Sequence, residues 1–394
     1  MEKKYLIVNT GSASKKYALY EGEKQLAFLH LEGEDGGFLL HGHAGEKELR
    51  DKINLNQFEN SLEVVLKIMT ENNLLTKNDD IAGIGIRVVA PGLYFEDHRL
   101  IDEEYLSQLV YAREKAPLHM TMIAGAVDSL KRKFPSQPIV GISDSAFHKT
   151  MNKSAKIYGL PKGLTEKFEI YRYGYHGLSM TGVLGKIKEK FGEVPEKVIV
   201  CHLGGGVSLT ALKNGESVDT TMGFTPLEGM LMATRVGDID AGAVLYLAEK
   251  TKMTITELRQ YFNSQCGLLG VSERSSDVRD LIKLEDGGDE QSKIALDLFA
   301  YKVKKAIGSY IATLNGVDLI VFTGTIGERS FIMRRRILSD LDHLGIKLDE
   351  EKNNSVISQD EVISKEKAKV KIAVLKTDEM KELARLTISV LSRT

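Results

Sequence analysis

The sequence has no tryptophan, two cysteines, seven prolines and a formal net charge of only −2. Each scarcity excludes something. Cys201 and Cys266 cannot make a disulfide framework, and they suit a reducing cytoplasm. With acids and bases nearly balanced, no global positive field recruits nucleic acid. No apolar run approaches the roughly 20 residues that span a bilayer. The opening MEKKYLIVNTGS has a very short apolar stretch that enters a Gly/Ser turn, so it reads as a first strand and not a signal peptide. A Walker A pattern is absent, which argues against a P-loop fold. SASK (12–15) matches S-x-x-K, but the S-D-N and K-T-G tripeptides that should accompany it do not occur.

What is present suits a soluble globular chain: 42% hydrophobic and 27% charged residues over 394 positions, enough for about two domains. Three β-type runs open it, YLIVN, KYALYE and LAFLHLE, joined by short Gly/Ser/Glu turns, which predicts an antiparallel meander. A helical stretch near FENSLEVVLKIMTENNLL precedes two buried-looking strands, IAGIGIRVVA and QPIVGIS. Further on, KVIVCHLGGGVSLTALKNGES reads as strand, Gly turn, strand, turn, and a helix-rich region covers about 226–315. DLIVFTGTIGE reads as a strand opening into a Gly-containing loop, VKIAVLKT as a late strand, and DEMKELARLTISVLS as a closing helix capped by Asp378. VNTGSASKKYALY and CHLGGGVSLTALK repeat one strand–turn–strand design, a weak internal duplication with its boundary near 143–149.

Three glycine turns follow apolar strands: Gly11 with Ser12 and Ser14, Gly204-Gly205-Gly206, and Gly324 with Gly327. Backbone amides at such turns can face an anion, and glycine permits its close approach. Taken singly, each reads as a plain hairpin or strand–helix turn. Arg87 (IGIRVVAPG) sits inside a β run, so its guanidinium must reach a cleft or pair with an acid. Arg235 (ATRVGDID) either serves a site or pairs with Asp238 or Asp240. His119, His148, His176 and His202 stand beside Gly, Pro or small residues and lack helical zinc spacing. His41 and His43 (LLHGHAG) read as an exposed loop with nothing nearby to complete a metal set. Asp144 (ISDSAFH) ends an apolar strand, a usual place for a catalytic or metal-orienting carboxylate, and Glu379 begins the last helix. A surface cap is the alternative for both acids.

Taken together, NTGSASKKYALY, RVVAPG, APLHMT, DSAFH, YGYHG, CHLGGGVS, DTTMGFTPLEGMLMATRVGDID (219–240), CGLLGVSERSSDVRDL, VFTGTIGE and TDEMKELAR resemble the acetate kinase family, in family order along nearly the whole chain. The resemblance implies an α/β protein with the two-domain actin-like (ribonuclease H-like) fold, each domain a mixed five-stranded sheet with helices. It places domains at 1–146 plus 379–394, with a crossing C-terminal helix, and at 147–378, the active site lying in the cleft between them. It implies transfer of the ATP γ-phosphoryl to a short carboxylate, with Mg²⁺ or Mn²⁺, ATP/ADP as co-substrate, a homodimer, and neither nucleic acid nor membrane as partner. By matched position, Arg87 and Arg235 clamp the carboxylate and the transferring group, His176 hydrogen-bonds that group, Asp144 helps organise the metal, and His119 supports the carboxylate. Asn9 and Glu379 hold the metal. Val89, Leu118, Tyr175 and Pro226 line the alkyl pocket. Lys16, His202, Gly204, Gly205, Gly206, Gly324, Thr325, Ile326 and Gly327 face the nucleotide.

The surroundings of this set depart from the family. Ala13 replaces a serine, Ala90 a histidine, Pro91 a glycine, Met180 a histidine, Gly205 an asparagine, Thr325 a glycine and Arg329 an asparagine, while Tyr175 stands for phenylalanine. Thr325 and Gly205 leave pyrophosphate open as an alternative donor, and propionate or butyrate as alternative acids. A non-catalytic nucleotide-binding paralogue is the third reading.

Overall fold

The computed structural model describes residues 3–11, 14–34, 36–76 and 81–393, apart from the side chains at 118 and 119. Ser12, Ala13 and the side chains of Leu118 and His119 therefore lie outside the described residues. The chain forms two compact units, Met1–Ala146 with Asp378–Thr394, and Phe147–Thr377.

In the first unit β1 (Lys4–Thr10), β2 (Ser14–Glu21), β3 (Lys24–Glu34), β4 (Gly37–Ala44) and β5 (Lys47–Ile53) make an antiparallel meander. β6 (Ile81–Val88) joins β1 in parallel, β7 (Arg99–Leu100) forms an edge, and β8 (Ile139–Ser143) pairs in parallel with β6. The order across this eight-stranded sheet is β5-β4-β3-β2-β1-β6-β8-β7. Strand alternation sorts its faces: Leu29, Leu31 and Leu40 are buried, while Lys16, His30 and His41 on the other face are half-buried.

The glycines of IAGIGIR have a packing reason. The closing helix Glu379–Leu391 lies on β6, β1 and β8. A Cβ on Gly85 would meet Thr387 Oγ1 at 1.9 Å, and one on Gly83 would meet Leu391 Cδ1 at 2.3 Å. Only a bare backbone lets the helix come so close. Its start is fixed by Asp378, which accepts the Lys381 N–H at 3.0 Å as the sequence predicts.

In the second unit β9 (Lys197–Leu203), β10 (Val207–Lys213) and β11 (Glu216–Thr220) form an antiparallel ribbon. β12 (Leu319–Thr323) adds to β9 in parallel, and β13 (Glu361–Val362) and β14 (Lys371–Val374) complete a six-stranded sheet ordered β11-β10-β9-β12-β14-β13. The helix Glu290–Leu314 packs against β9 and β10 with Phe299, Val303 and Ile307 buried.

Both sheets are mixed, as expected, but wider than five strands. The series β3-β2-β1-β6-β8 and β11-β10-β9-β12-β14 match in direction, which is the physical content of the internal duplication. β4, β5, β7 and β13 are additions. The meander continues past β3 because GEDGG and AGEK supply further turns with positive φ at Gly36 and Gly45.

Three local expectations change. His41 and His43 belong to β4 and not to an exposed loop; Leu40 and Ala44 are buried on the other side of that strand. Residues 226–240 are irregular, and helices resume at Ala241–Thr251. The segment after β12 is a short helix, Gly324–Arg329, not a loop. Among the described residues no helix is long and apolar enough to cross a membrane.

Candidate active site

In the first unit, the ends of β6 and β8 and the start of the closing helix bring three charges together. Arg87 Nη2 donates to Asp144 Oδ2 at 2.7 Å, and Nη1 donates to Glu379 Oε2 at 3.1 Å. Asp144 is only 1% exposed and follows β8 directly, its N–H donating to Val88 O at 2.9 Å. Burial alone would lower the Arg87 pKa, but Asp144 and then Glu379 more than offset it and hold the guanidinium above its ordinary value. Arg87 Nε is buried and, among the described residues, has no hydrogen-bond partner. An orphaned buried donor is costly unless an acceptor arrives, so the fork has two arms committed and one donor waiting.

The neighbours set that geometry. Ser143 N–H donates to His98 Nδ1 at 3.1 Å. Burial pushes His98 down to about 4, against the pull of Asp97 and Asp144, so its ring is neutral near pH 7. No motif marked His98 in the sequence; only the fold brings it beside the β8 end. Val89 is packed against the core, and Ala90, where the family has histidine, is fully buried. Asn9 and Lys16 are cross-strand partners on β1 and β2. Thr10 Oγ1 is buried beside them without a partner among the described residues. The Gly11 turn closes through its N–H to Ser14 O at 2.7 Å.

In the second unit, the β9–β10 turn gathers a second set. His176 caps the helix Gly177–Phe191 with left-handed φ 62°, a conformation that costs energy in a non-glycine residue and often marks function. Its Nδ1 shares a hydrogen bond with Ser208 Oγ at 2.9 Å, and its ring stacks on His202 at 4.1 Å between centroids. His202 Nδ1 shares a hydrogen bond with Ser179 Oγ at 2.7 Å. A Cβ on Gly206 would lie 3.1 Å from His176 Nε2 and 3.7 Å from Arg235 Nη1. One on Gly204 would lie 3.7 Å from His202 Nε2 and 3.9 Å from the Thr325 backbone N. The turn thus joins His176, His202, Arg235 and the start of the Gly324 helix, residues far apart in sequence.

Arg235 stands on irregular backbone that is nevertheless well tied. Ala233 N–H donates to Gly205 O, Leu268 N–H to Met232 O and Cys266 N–H to Thr234 O, at 3.3, 2.8 and 3.0 Å. Gly267 has φ +66°, and a Cβ there would strike Met232 O at 2.2 Å, which explains CGLLG beside this loop. Arg235 Nη1 donates to Pro226 O at 3.2 Å and to Met232 Sδ at 3.7 Å. Asp238 accepts instead from Gly229 N–H at 2.8 Å. Tyr175, 1% exposed, donates its hydroxyl to Phe224 O at 2.8 Å, so the added oxygen is satisfied by the segment that carries Pro226. Arg172 braces that segment too, through Glu228 at 2.6 Å, and Tyr158 Oη also donates to Glu228.

The Gly324 turn is held from below. Gly324, at φ +75°, passes Leu203 O so closely that a Cβ would lie 2.7 Å away. Glu328 Oε1 accepts Gly324 N–H at 3.2 Å. Arg334 is fully buried, and its bonds include Gly327 O and Glu328 O at 2.8 and 3.1 Å and Asn353 Oδ1 at 2.8 Å. Burial lowers it to about 10, so it stays protonated at pH 7. Nothing in IMRRRIL singled out this arginine; one of three adjacent guanidines goes inward, and only packing decides which. Thr325 is exposed, Ile326 half-buried and Gly327 buried. Met180 is fully buried with Val183 and Ile187, so the histidine expected there gives way to a core residue.

The described geometry can be set beside known proteins. The model of the Acetokinase family matches residues 4–385. The chain belongs to the acetokinase family. Acetate kinase of Acetivibrio thermocellus is 39% identical over 391 residues, covering 97% of this chain and 98% of the relative. Acetate kinase of Methanosarcina mazei is 41% identical over 392 residues, covering 98% and 96%. A propionate kinase from Francisella tularensis superposes with a TM-score of 0.90 at 33% identity, over 98% of this chain and 100% of that one. Porphyromonas gingivalis acetate kinase does so at 0.87 and 31%, over 99% and 100%. Membership makes the chain a phosphotransferase acting on a carboxylate.

Proposed function

We propose that this chain reversibly transfers the γ-phosphoryl group of ATP to a short carboxylate, acetate or propionate, giving an acyl phosphate and ADP. Family membership supports the reaction type, and the named acetate and propionate kinases support the acid. The observation that carries the reading is Arg87, charged, held by Asp144 and Glu379, with a buried Nε donor still to satisfy. An anionic oxygen is the acceptor to which such a group donates.

A carboxylate oxygen attacks the γ-phosphorus in line while the bond to the β–γ bridging oxygen breaks. No strong base is needed, because the acid is already ionised near neutral pH. Catalysis is then positioning and charge stabilisation. In this reading Arg87 orients the carboxylate, with Val89, Leu118, Tyr175 and Pro226 around its alkyl end and His119 in support. Arg235 and His176 neutralise and hydrogen-bond the transferring group. Lys16, His202, Gly204–Gly206, and Gly324, Thr325, Ile326 and Gly327 bind the nucleotide.

In this reading the oxygen donors of Asn9 and Glu379, with Asp144 on Arg87, would hold Mg²⁺ or Mn²⁺, which take hard oxygen ligands. When bound, the ion would offset phosphate charge. Glu379 suits this role: it is 21% exposed, and Arg87 is bonded to its Oε2.

A homodimer belongs to the same reading. Its support is the helix Ala241–Thr251, which has no buried residue although Leu245 and Tyr246 are 67% and 62% exposed; such a patch suits a partner surface. Two free cysteines support a cytoplasmic setting. Hydroxylamine trapping tests the proposal: acyl hydroxamate should form with ATP, Mg²⁺ and acetate or propionate. Product with pyrophosphate alone, or with no acid or donor tried, would overturn it.

A further inference from the structure

On the outer strands of the first sheet a second group of ligating side chains comes together, made of residues not assigned above. Strand alternation places His30 and Glu32 on one face of β3, opposite the buried Leu29 and Leu31. The β3–β4 register sets His41 directly across from His30. His41 Nε2 lies 3.0 Å from Glu32 Oε1, and His30 Nε2 lies 3.6 Å from Glu32 Oε2. The imidazole centroids are 4.7 Å apart. One ligand atom from each of the three residues falls within 4.8 Å of the others.

We propose that His30, Glu32 and His41 form a binding site for a zinc-like divalent cation, with Ser14 or water completing a tetrahedron. Two imidazole nitrogens and a carboxylate are a borderline-soft set, which selects Zn²⁺, Co²⁺ or Ni²⁺ over Mg²⁺. Metal–ligand bonds of about 2.0–2.2 Å put tetrahedral ligand atoms roughly 3.4 Å apart. Small side-chain rotations close the observed spacing to that value, and the backbone ladder of β3 and β4 need not move. Ser14 Oγ lies 2.6 Å from His30 Nε2. With the hydroxyl as donor, that nitrogen carries a lone pair, as a ligand must. Burial lowers His30 to about 4 against the pull of Glu32, with Lys16 and His41 pushing the same way as burial, so the ring is neutral at working pH. The side chains of His41 and Glu32 are 33% and 37% exposed, which leaves an entry path. Lys16 pairs with His30, and Asn9 with Lys16, so the site shares a cross-strand row with two residues of the proposed active site. The competing arrangement is a simple surface ion pair between His41 and Glu32.

The test uses the full chain, stripped with chelator, dialysed and titrated with Co²⁺. Stoichiometric uptake with the intense visible bands of tetrahedral cobalt is expected, displaced by Zn²⁺ and unaffected by excess Mg²⁺. His41→Ala and His30→Ala should weaken uptake at least about tenfold, and His41→Ala should abolish the thermal stabilisation that Zn²⁺ gives. His43→Ala, on the same strand but bonded to Gln25, should bind like the parent. His41 is exposed enough for its variant to fold, so that variant decides if His30→Ala does not. No uptake would mean an ion pair only and would overturn the proposal. So would cobalt binding that is the same in parent and His41→Ala.

Discussion

Arg87→Ala should damage stability and activity by separable routes. The guanidinium bridges Asp144, 1% exposed, and Glu379, 21% exposed. Removing it breaks the ion pair of the buried Asp144, which costs about 3–5 kcal/mol. Glu379 can turn to water and stays in the first turn of a helix, where negative charge is favoured, so it adds little. Adding Asp144→Asn in the same chain removes the buried negative charge, and the double variant should regain a kcal/mol or more, roughly the excess cost of burying a charged over a neutral group. Activity should not follow. Losing one donor to a developing charge typically lowers the rate about 100- to 1,000-fold, and the introduced amide supplies no replacement for the guanidinium. The assay pairs urea unfolding, followed by circular dichroism, with hydroxamate formation. Equal stability of the single and double variants would refute the buried-charge argument. Near-parental activity in Arg87→Ala would refute the catalytic one.

Other consequences follow from single contacts. His98 is held near 4, below its unfolded value of 6.5, so the unfolded chain binds the extra proton between those limits. Stability is therefore full above about pH 6.5 and falls as pH drops toward 4, by roughly 3 kcal/mol from this residue; His98→Gln should flatten the slope in urea titrations across that window. Gly205 has open space where a Cβ would point, so Gly205→Asn should leave stability within about 0.5 kcal/mol while lowering the KM for ATP about fivefold through one added hydrogen bond. Tyr175→Phe leaves Phe224 O without its donor, so it should lose about 1 kcal/mol in unfolding experiments. Its preference between acetate and propionate should stay unchanged, because the hydroxyl is committed to that carbonyl. Chelation should abolish hydroxamate formation, and Mg²⁺ or Mn²⁺ should restore it, given the oxygen donors of Asn9 and Glu379.

The strands that carry Arg87 and His202 were legible because their apolar runs are short and bounded by glycines. The closing helix was legible because Asp378 precedes an amphipathic pattern. The eight-stranded width of the first sheet was not: β4 contains His41, Gly42 and His43, all half-buried, and that run without a large apolar residue hid the strand. The helix after β12 was also missed, because a glycine-rich start looks like a turn until Glu328 is seen accepting the Gly324 N–H. Arg235 could not be assigned from sequence between Asp238 and Asp240; the fold gives its Nη1 to Pro226 O. His98, Arg172 and Arg334 carried no signal at all, since their partners lie 45, 56 and 19 residues away. What motif order alone supplied was the family, and with it a list of positions whose contacts only coordinates reveal.

The most direct test of the central claim is acyl phosphate formation by the purified chain, trapped with hydroxylamine, with Mg²⁺ and either ATP or pyrophosphate against acetate, propionate, butyrate and formate. The account predicts hydroxamate with ATP and acetate or propionate, and loss of that signal in Arg87→Ala and Arg235→Ala. Folded protein that forms no hydroxamate with ATP and any of these acids would contradict it.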